Sequence, residues 1–263
     1  MSTPIMPGAE PISVTEGSHG GVLLLHGYTG TPQQLRPWAE AFARAGFAVE
    51  APLLPGHGTS ANEMLTTQWS DYTQCAENTY KKLTERYQHV FVGGLCSGGS
   101  LAAWLALQHS TLSGLMIING FFKPAHSEGV SAIQRVIQSG KQFFVWPTLP
   151  KQVEDPQAPP VLAYLQIPFA PMVSVEQARA EICQHLSEIQ SPILAFTSRH
   201  CPKDEQDDTW FENVTVPVEH ISLERSNHVA TLDYDKEIIE TRSIEFALAL
   251  TKNKRQQSQN NAA

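Results

Sequence analysis

One join in this chain restricts its fold more than any other feature. Val90 to Gly94 is an apolar run with the length of a buried strand. Cys96 to His109 follows at once, rich in Leu and Ala and spaced as a helix. Between them the chain turns through Gly94-Leu95-Cys96-Ser97-Gly98. A strand that passes into a helix through a tight glycine-framed turn belongs to a sheet with helices laid against it. The rest of the chain repeats that alternation. Residues 20–25 read as a buried strand ending at His26-Gly27, and Pro32 to Ala45 as an amphipathic helix stopped by Gly46. Phe47 to Ala51 and Leu112 to Asn119 read as strands, and Ser70 to Tyr87 as a helix. The fold class predicted is α/β, a mostly parallel sheet flanked by helices.

The alternation breaks at Phe121. Residues 121–190 carry eight of the 18 prolines, with FFK, QFFVW and IPFAPMV clusters. This stretch reads as an inserted, partly helical cap. Strands at Pro192–Thr197 and Val216–Leu223 then resume the pattern, with helices at Gln206–Phe211 and Asp235–Thr251. The division expected is a core of residues 10–120 and 191–252, an insertion of 121–190, and a polar tail, 253–263, without fixed structure. At 263 residues the chain suits one large domain.

Charge narrows the partners. Eighteen Lys and Arg against 26 Asp and Glu give a net charge of −8, which repels nucleic acid and anionic membranes. No apolar run reaches the ~20 residues of a membrane span. Met1 to Gly8 lacks the basic flank and apolar stretch of a signal peptide. A cytoplasmic protein is the expectation. The four cysteines, Cys75, Cys96, Cys183 and Cys201, have neither CxxC nor zinc spacing, so they read as reduced thiols, and no metal or cofactor is implied.

Three stretches converge on one chemistry. In the glycine-framed turn, Gly94 and Gly98 place Cys96 at the centre, at a helix N-terminus that stabilises negative charge. Acyl transfer also needs backbone N–H donors for the developing oxyanion. The loop after the first long strand, His26 to Pro32, supplies one at Tyr28, and Ser97, next to the nucleophile, supplies the other. The third stretch, Ser226 to Asp233, sets His228 after the last strand, where a general base belongs. His26 and His57 read as loop braces. The aromatics Phe121, Phe122, Phe143, Phe144, Trp146 and Phe169 read equally well as core or as pocket wall.

With HGYTGTP at 26–32, PLLPGHG at 52–58, GLCSGG at 94–99 and NHVATLD at 227–233, the chain resembles the α/β-hydrolase superfamily. The nearest resemblance is to the bacterial carboxylesterase and monoacylglycerol lipase group, over about residues 20–250. The resemblance implies an α/β-hydrolase fold, a covalent acyl-enzyme and a cap over an apolar acyl pocket. The chain departs from the group twice. Cys96 stands where the group has its nucleophilic Ser. Cys201, in Arg199-His200-Cys201-Pro202, stands where it has its acid. Asp204, three residues on, is the candidate to orient His228, with Glu205, Asp207 and Asp233 behind it.

A thiolate attacks esters and thioesters, and the resulting thioester yields to amines, thiols and carbanions as well as to water. Three activities therefore stand open. The first is hydrolysis of an apolar acyl ester or thioester by a carboxylesterase or thioesterase. The second is transfer or condensation of an acyl group from CoA or a carrier protein to an amine, hydroxyl or carbon acceptor. The third is non-catalytic binding of an acyl ligand.

Overall fold

The computed structural model describes residues 3–120, 122, 127–202 and 209–260. Its centre is a seven-stranded sheet in the order β1-β3-β2-β4-β5-β8-β9. The strands are β1 (Ile12–Val14), β2 (Gly21–Leu25), β3 (Ala48–Ala51), β4 (Val90–Leu95), β5 (Gly114–Ile118), β8 (Ile193–Ser198) and β9 (Val218–Leu223). All pairs are parallel except β1 with β3. Alternate residues of the central strands feed two cores. Leu23, Leu25, Val92 and Ile117 face one side, and Val22, Leu24, Phe91 and Met116 the other. Both faces are covered, which is why β2, β4 and β5 are apolar throughout.

The first face is covered by α3 (Trp69–Thr84) and α4 (Ser97–Gln108), with Tyr80, Leu83, Leu101 and Leu105 buried against the sheet. The second is covered by α1 (Arg36–Arg44) and α7 (Lys236–Asn260), through Trp38, Phe42, Ile239 and Ala247. A one-turn helix, α2 (Ala61–Met64), is N-capped by Ser60. Backbone of α7 continues through Asn260, whereas the sequence predicts no fixed structure from 253. Lys, Arg and Gln in that stretch have good helix propensity, and a packed helix propagates into them at little cost. The strand β1 went unpredicted because three residues between Pro11 and Gly17 carry no readable period.

Between β5 and β8 the chain leaves the sheet. The insertion holds α5 (Ser127–Gln138), the antiparallel pair β6 (Phe143–Val145) and β7 (Gln166–Pro168), and α6 (Phe169–His185). It is fastened over the carboxyl ends of the strands by polar tethers. Tyr28 donates its hydroxyl to the carbonyl of Pro168 (2.7 Å), and Tyr164 donates its own to that of Gly56 (2.9 Å). The amide of Tyr164 donates to the carbonyl of Thr29 (3.1 Å).

Candidate active site

The turn from β4 to α4 is held by backbone crowding. A Cβ on Gly94 would lie 2.1 Å from the carbonyl oxygen of Gly98, and one on Gly98 would lie 2.1 Å from that of Leu25. Neither position can carry a side chain without moving main chain. Cys96 between them adopts φ +56°, a left-handed conformation that costs a non-glycine residue about 1–3 kcal/mol. The Cys96 amide donates to Ile118 (2.9 Å), and its carbonyl accepts from Gly99 (2.9 Å). Those bonds hold the strained residue at the mouth of the sheet, half-buried. Ser97 opens α4, so its amide is among the first-turn donors that have no intrahelical acceptor.

A cavity of about 430 Å³ lies over this turn, roofed by the insertion. Cys96, Ser97, Tyr28 and His228 all line it. Phe144, Trp146, Phe169 and Met172 supply apolar wall from the insertion. The aromatics thus divide by role: Phe122 is buried against Trp210, with ring centroids 4.6 Å apart, and belongs to the core. Phe121 lies outside the described residues.

Beneath the loop after β2, His26 is fully buried. Its Nε2 accepts from the Leu54 amide (3.1 Å), which leaves the proton on Nδ1, facing the carbonyl of Gly27 (3.0 Å). Burial, followed by the nearby His57, holds its pKa down at about 3, and burial holds that of His57 at about 4. Both rings are neutral braces for the loop that presents Tyr28.

His228 sits in the loop after β9. Its amide donates to Asn227 Oδ1 (2.8 Å), and its carbonyl accepts from Asn119 Nδ2 (2.8 Å). Its Nδ1 faces the Cys201 thiol, Sγ to Nδ1 3.1 Å. Cys201 is thus brought against the ring of His228. Asp204, with Glu205 and Asp207, lies outside the described residues. Asp233 is committed elsewhere: its buried carboxylate accepts the amides of Asn227 (2.8 Å), Tyr234 (2.8 Å), Glu154 (2.7 Å) and Asp155 (2.9 Å). It ties the histidine loop to the insertion.

Sequence reasoning did not find Asn119 or Arg179. Asn119, at φ +47°, ends β5 and reaches both Ser198 (2.9 Å) and the His228 carbonyl. The Asn-Gly pair after an apolar strand was the available signal. Arg179 lies on α6 and lines the cavity, paired with Glu176. In a helix of mixed polarity its sequence context gives no sign of that. None of the four cysteines is in a disulfide. Among the described residues no cluster of three His, Cys, Asp or Glu could hold a metal, and no helix is long and apolar enough to cross a membrane.

A glycine-framed turn after a central parallel strand, a histidine after the last strand and a roofed cavity between them define an α/β hydrolase. The chain belongs to the Hydrolase_4 family, described as serine aminopeptidase, S33, whose pattern matches residues 17–200. It is 36% identical over 247 residues to the thermostable monoacylglycerol lipase of Bacillus sp. (strain H-257), covering 92% of this chain and 96% of that enzyme. Identity to the carboxylesterase of Bacillus subtilis (strain 168) is 24% over 241 residues, covering 88% and 93%. Among solved structures, one from work on LipS and LipT, two metagenome-derived lipolytic enzymes, superposes with a TM-score of 0.78. It is 32% identical and covers 93% of this chain and 99% of that one. The chain is therefore a hydrolase of the lipase and esterase type within the α/β-hydrolase superfamily.

Proposed function

We propose that this hydrolase works through an acyl-Cys intermediate formed from an apolar acyl ester or thioester. Residues 10–120 and 191–252 form its catalytic core, and 121–190 its cap. The observation that carries this reading is the strained Cys96 at φ +56°, presented to the same cavity as His228. His228 Nε2 takes the thiol proton. The thiolate then attacks the carbonyl carbon, and a C–S bond forms. The oxyanion lies against the amides of Tyr28 and Ser97. The alkoxide or thiolate leaving group departs with the proton from His228. Water, giving a proton to His228, attacks the thioester and releases the acid and the Cys96 thiolate. Phe144, Trp146, Phe169 and Met172 favour an apolar acyl group.

Cys201 is the group that orients His228. Acting as acceptor for Nδ1–H, it selects the tautomer whose Nε2 is a base. A thiol stabilises an imidazolium less than a carboxylate does, which suits a Cys nucleophile better than a Ser.

The test is intact mass after mixing with p-nitrophenyl acyl esters and acyl thioesters. An acyl adduct absent in Cys96→Ala is expected; turnover that survives Cys96→Ala removes the thiol from the mechanism. Added amine or thiol acceptors that capture the adduct faster than water would turn the reading to acyl transfer. Binding without adduct or turnover would turn it to a non-catalytic acyl-ligand protein. Cys201→Ala should lower turnover about tenfold or more, with Asp204→Asn as the comparison. Loss confined to Asp204→Asn would return the orienting role to that carboxylate.

A further inference from the structure

This inference rests on the reading of Cys96 as nucleophile and concerns what makes its thiol reactive. Helix α6 turns Met172, Val175, Glu176 and Arg179 to the cavity, at positions i, i+3, i+4 and i+7 of one helical face. Two of these are apolar, as an acyl pocket needs. The other two form an ion pair, with Arg179 11% and Glu176 21% exposed. Among the described residues that line the cavity, they alone carry a fixed formal charge. Desolvating an ion pair is expensive, and apolar residues of similar volume would roof a greasy pocket without that cost. The pair therefore calls for a use beyond packing.

Its two ends face different groups. The Glu176 carboxylate is felt by Tyr28, and the Arg179 guanidinium interacts with Cys96 and Cys183. Cys96 and both members of the pair line the one cavity, over the elbow, the glycine-framed turn that carries Cys96. His228 lines the same cavity, with its Nδ1 3.1 Å from the Cys201 thiol. Among the described residues that line the cavity, the remaining titratable groups are Tyr28 and Tyr164, whose pKa values burial pushes up, so both are neutral. Burial also lowers the pKa of Arg179 and raises that of Glu176, but a guanidinium stays charged throughout the working range of pH.

We propose that Arg179, carried on the cap, is the electrostatic partner of the Cys96 thiol and holds it as thiolate in the resting site. The change is one of proton position alone: the thiol proton passes to His228, and no other bond is altered. A catalytic thiolate elsewhere draws its stability from an imidazolium or a helix N-terminus. Here a cation from the insertion adds to both, so the docked cap sets the reactivity of a nucleophile that belongs to the sheet.

The experiment is the pH dependence of Cys96 alkylation by iodoacetamide in the full chain, read by intact mass and peptide mapping. Arg179→Met should move the midpoint up by about one pH unit or more, so that alkylation below the midpoint slows about tenfold. Arg179→Lys should recover most of that shift. Glu176→Gln should move the midpoint the other way, because it removes the neutralising carboxylate. An unchanged midpoint in both Arg179→Met and Glu176→Gln overturns the assignment. So does a shift of the same sign in the two, which marks general loosening of the cap. If Arg179→Met does not fold, the sign of the Glu176→Gln shift decides by itself. The midpoints judge Arg179 whether or not Cys96 is acylated, so failure here is separable from failure of the acyl-Cys reading.

Discussion

The elbow and the insertion meet across one cavity, yet they are held by opposite means. At the elbow, position is fixed by main chain packed on main chain. Gly94 and Gly98 leave no room for a Cβ, β4 is buried over its whole length, and the strain at Cys96 is carried by bonds to β5 and to the first turn of α4. The insertion leaves Phe144 43% and Val145 56% exposed, and much of α5 faces solvent. It is held by side chains: bonds from Tyr28, Tyr164 and Asp233, and Val175 and Ile182 of α6 packed into the core below. Cys96 is fixed by main chain, while the roof over it is fixed by side chains. Substitutions are therefore felt most sharply at the turn and more gradually in the roof.

The largest test of that contrast is Gly98→Ala. The new methyl meets the Leu25 carbonyl at 2.1 Å, and a destabilisation of about 3 kcal/mol or more is expected in urea unfolding. A near-neutral result would mean that the elbow is as yielding as the roof. Acid is the second probe. The folded pKa values of His26 and His57 are depressed to about 3 and about 4, below the unfolded value of 6.5. Their stabilisation is complete above pH 6.5 and is lost as pH falls towards the folded values, because the unfolded chain takes up protons that the folded chain refuses. Between pH 6.5 and 5 each ring should cost about 2 kcal/mol, measured by unfolding across that range. Flat stability there would show that the loop under Tyr28 can open to admit a proton. The smallest expected effect is Tyr164→Phe. It removes bonds to Gly56 (2.9 Å) and Thr59 (2.8 Å), and should cost about 1 kcal/mol while raising KM more than it lowers kcat. A loss as large as that of Gly98→Ala would overturn the distinction between the two regions.

The same contrast explains what could be read from sequence. The elbow was legible because its geometry demands glycine at two fixed spacings around one residue, and few other sites do. The sheet was legible because its central strands are apolar on both faces. Cys201, which stands in sequence where the resembled group has its acid, lies 3.1 Å from His228 Nδ1, whereas Asp204, the residue expected to orient that ring, lies outside the described residues. In the insertion, two three-residue strands and a helix of mixed polarity leave no period to count, so its folding was hidden. Arg179 was hidden for the same reason. A charged residue on a helix of mixed polarity looks like a solvated one until the tertiary structure turns it inward.

Asp233 has a mechanical consequence. One carboxylate clamps Glu154 and Asp155 of the roof together with Asn227, the residue before His228, and the Val229 amide adds a bond to the carbonyl of Gln152 (2.9 Å). Residues 152–155 cannot shift without tugging on the strap that carries His228. The position of the roof on that side and the position of the His228 ring are thus geared together through one buried carboxylate.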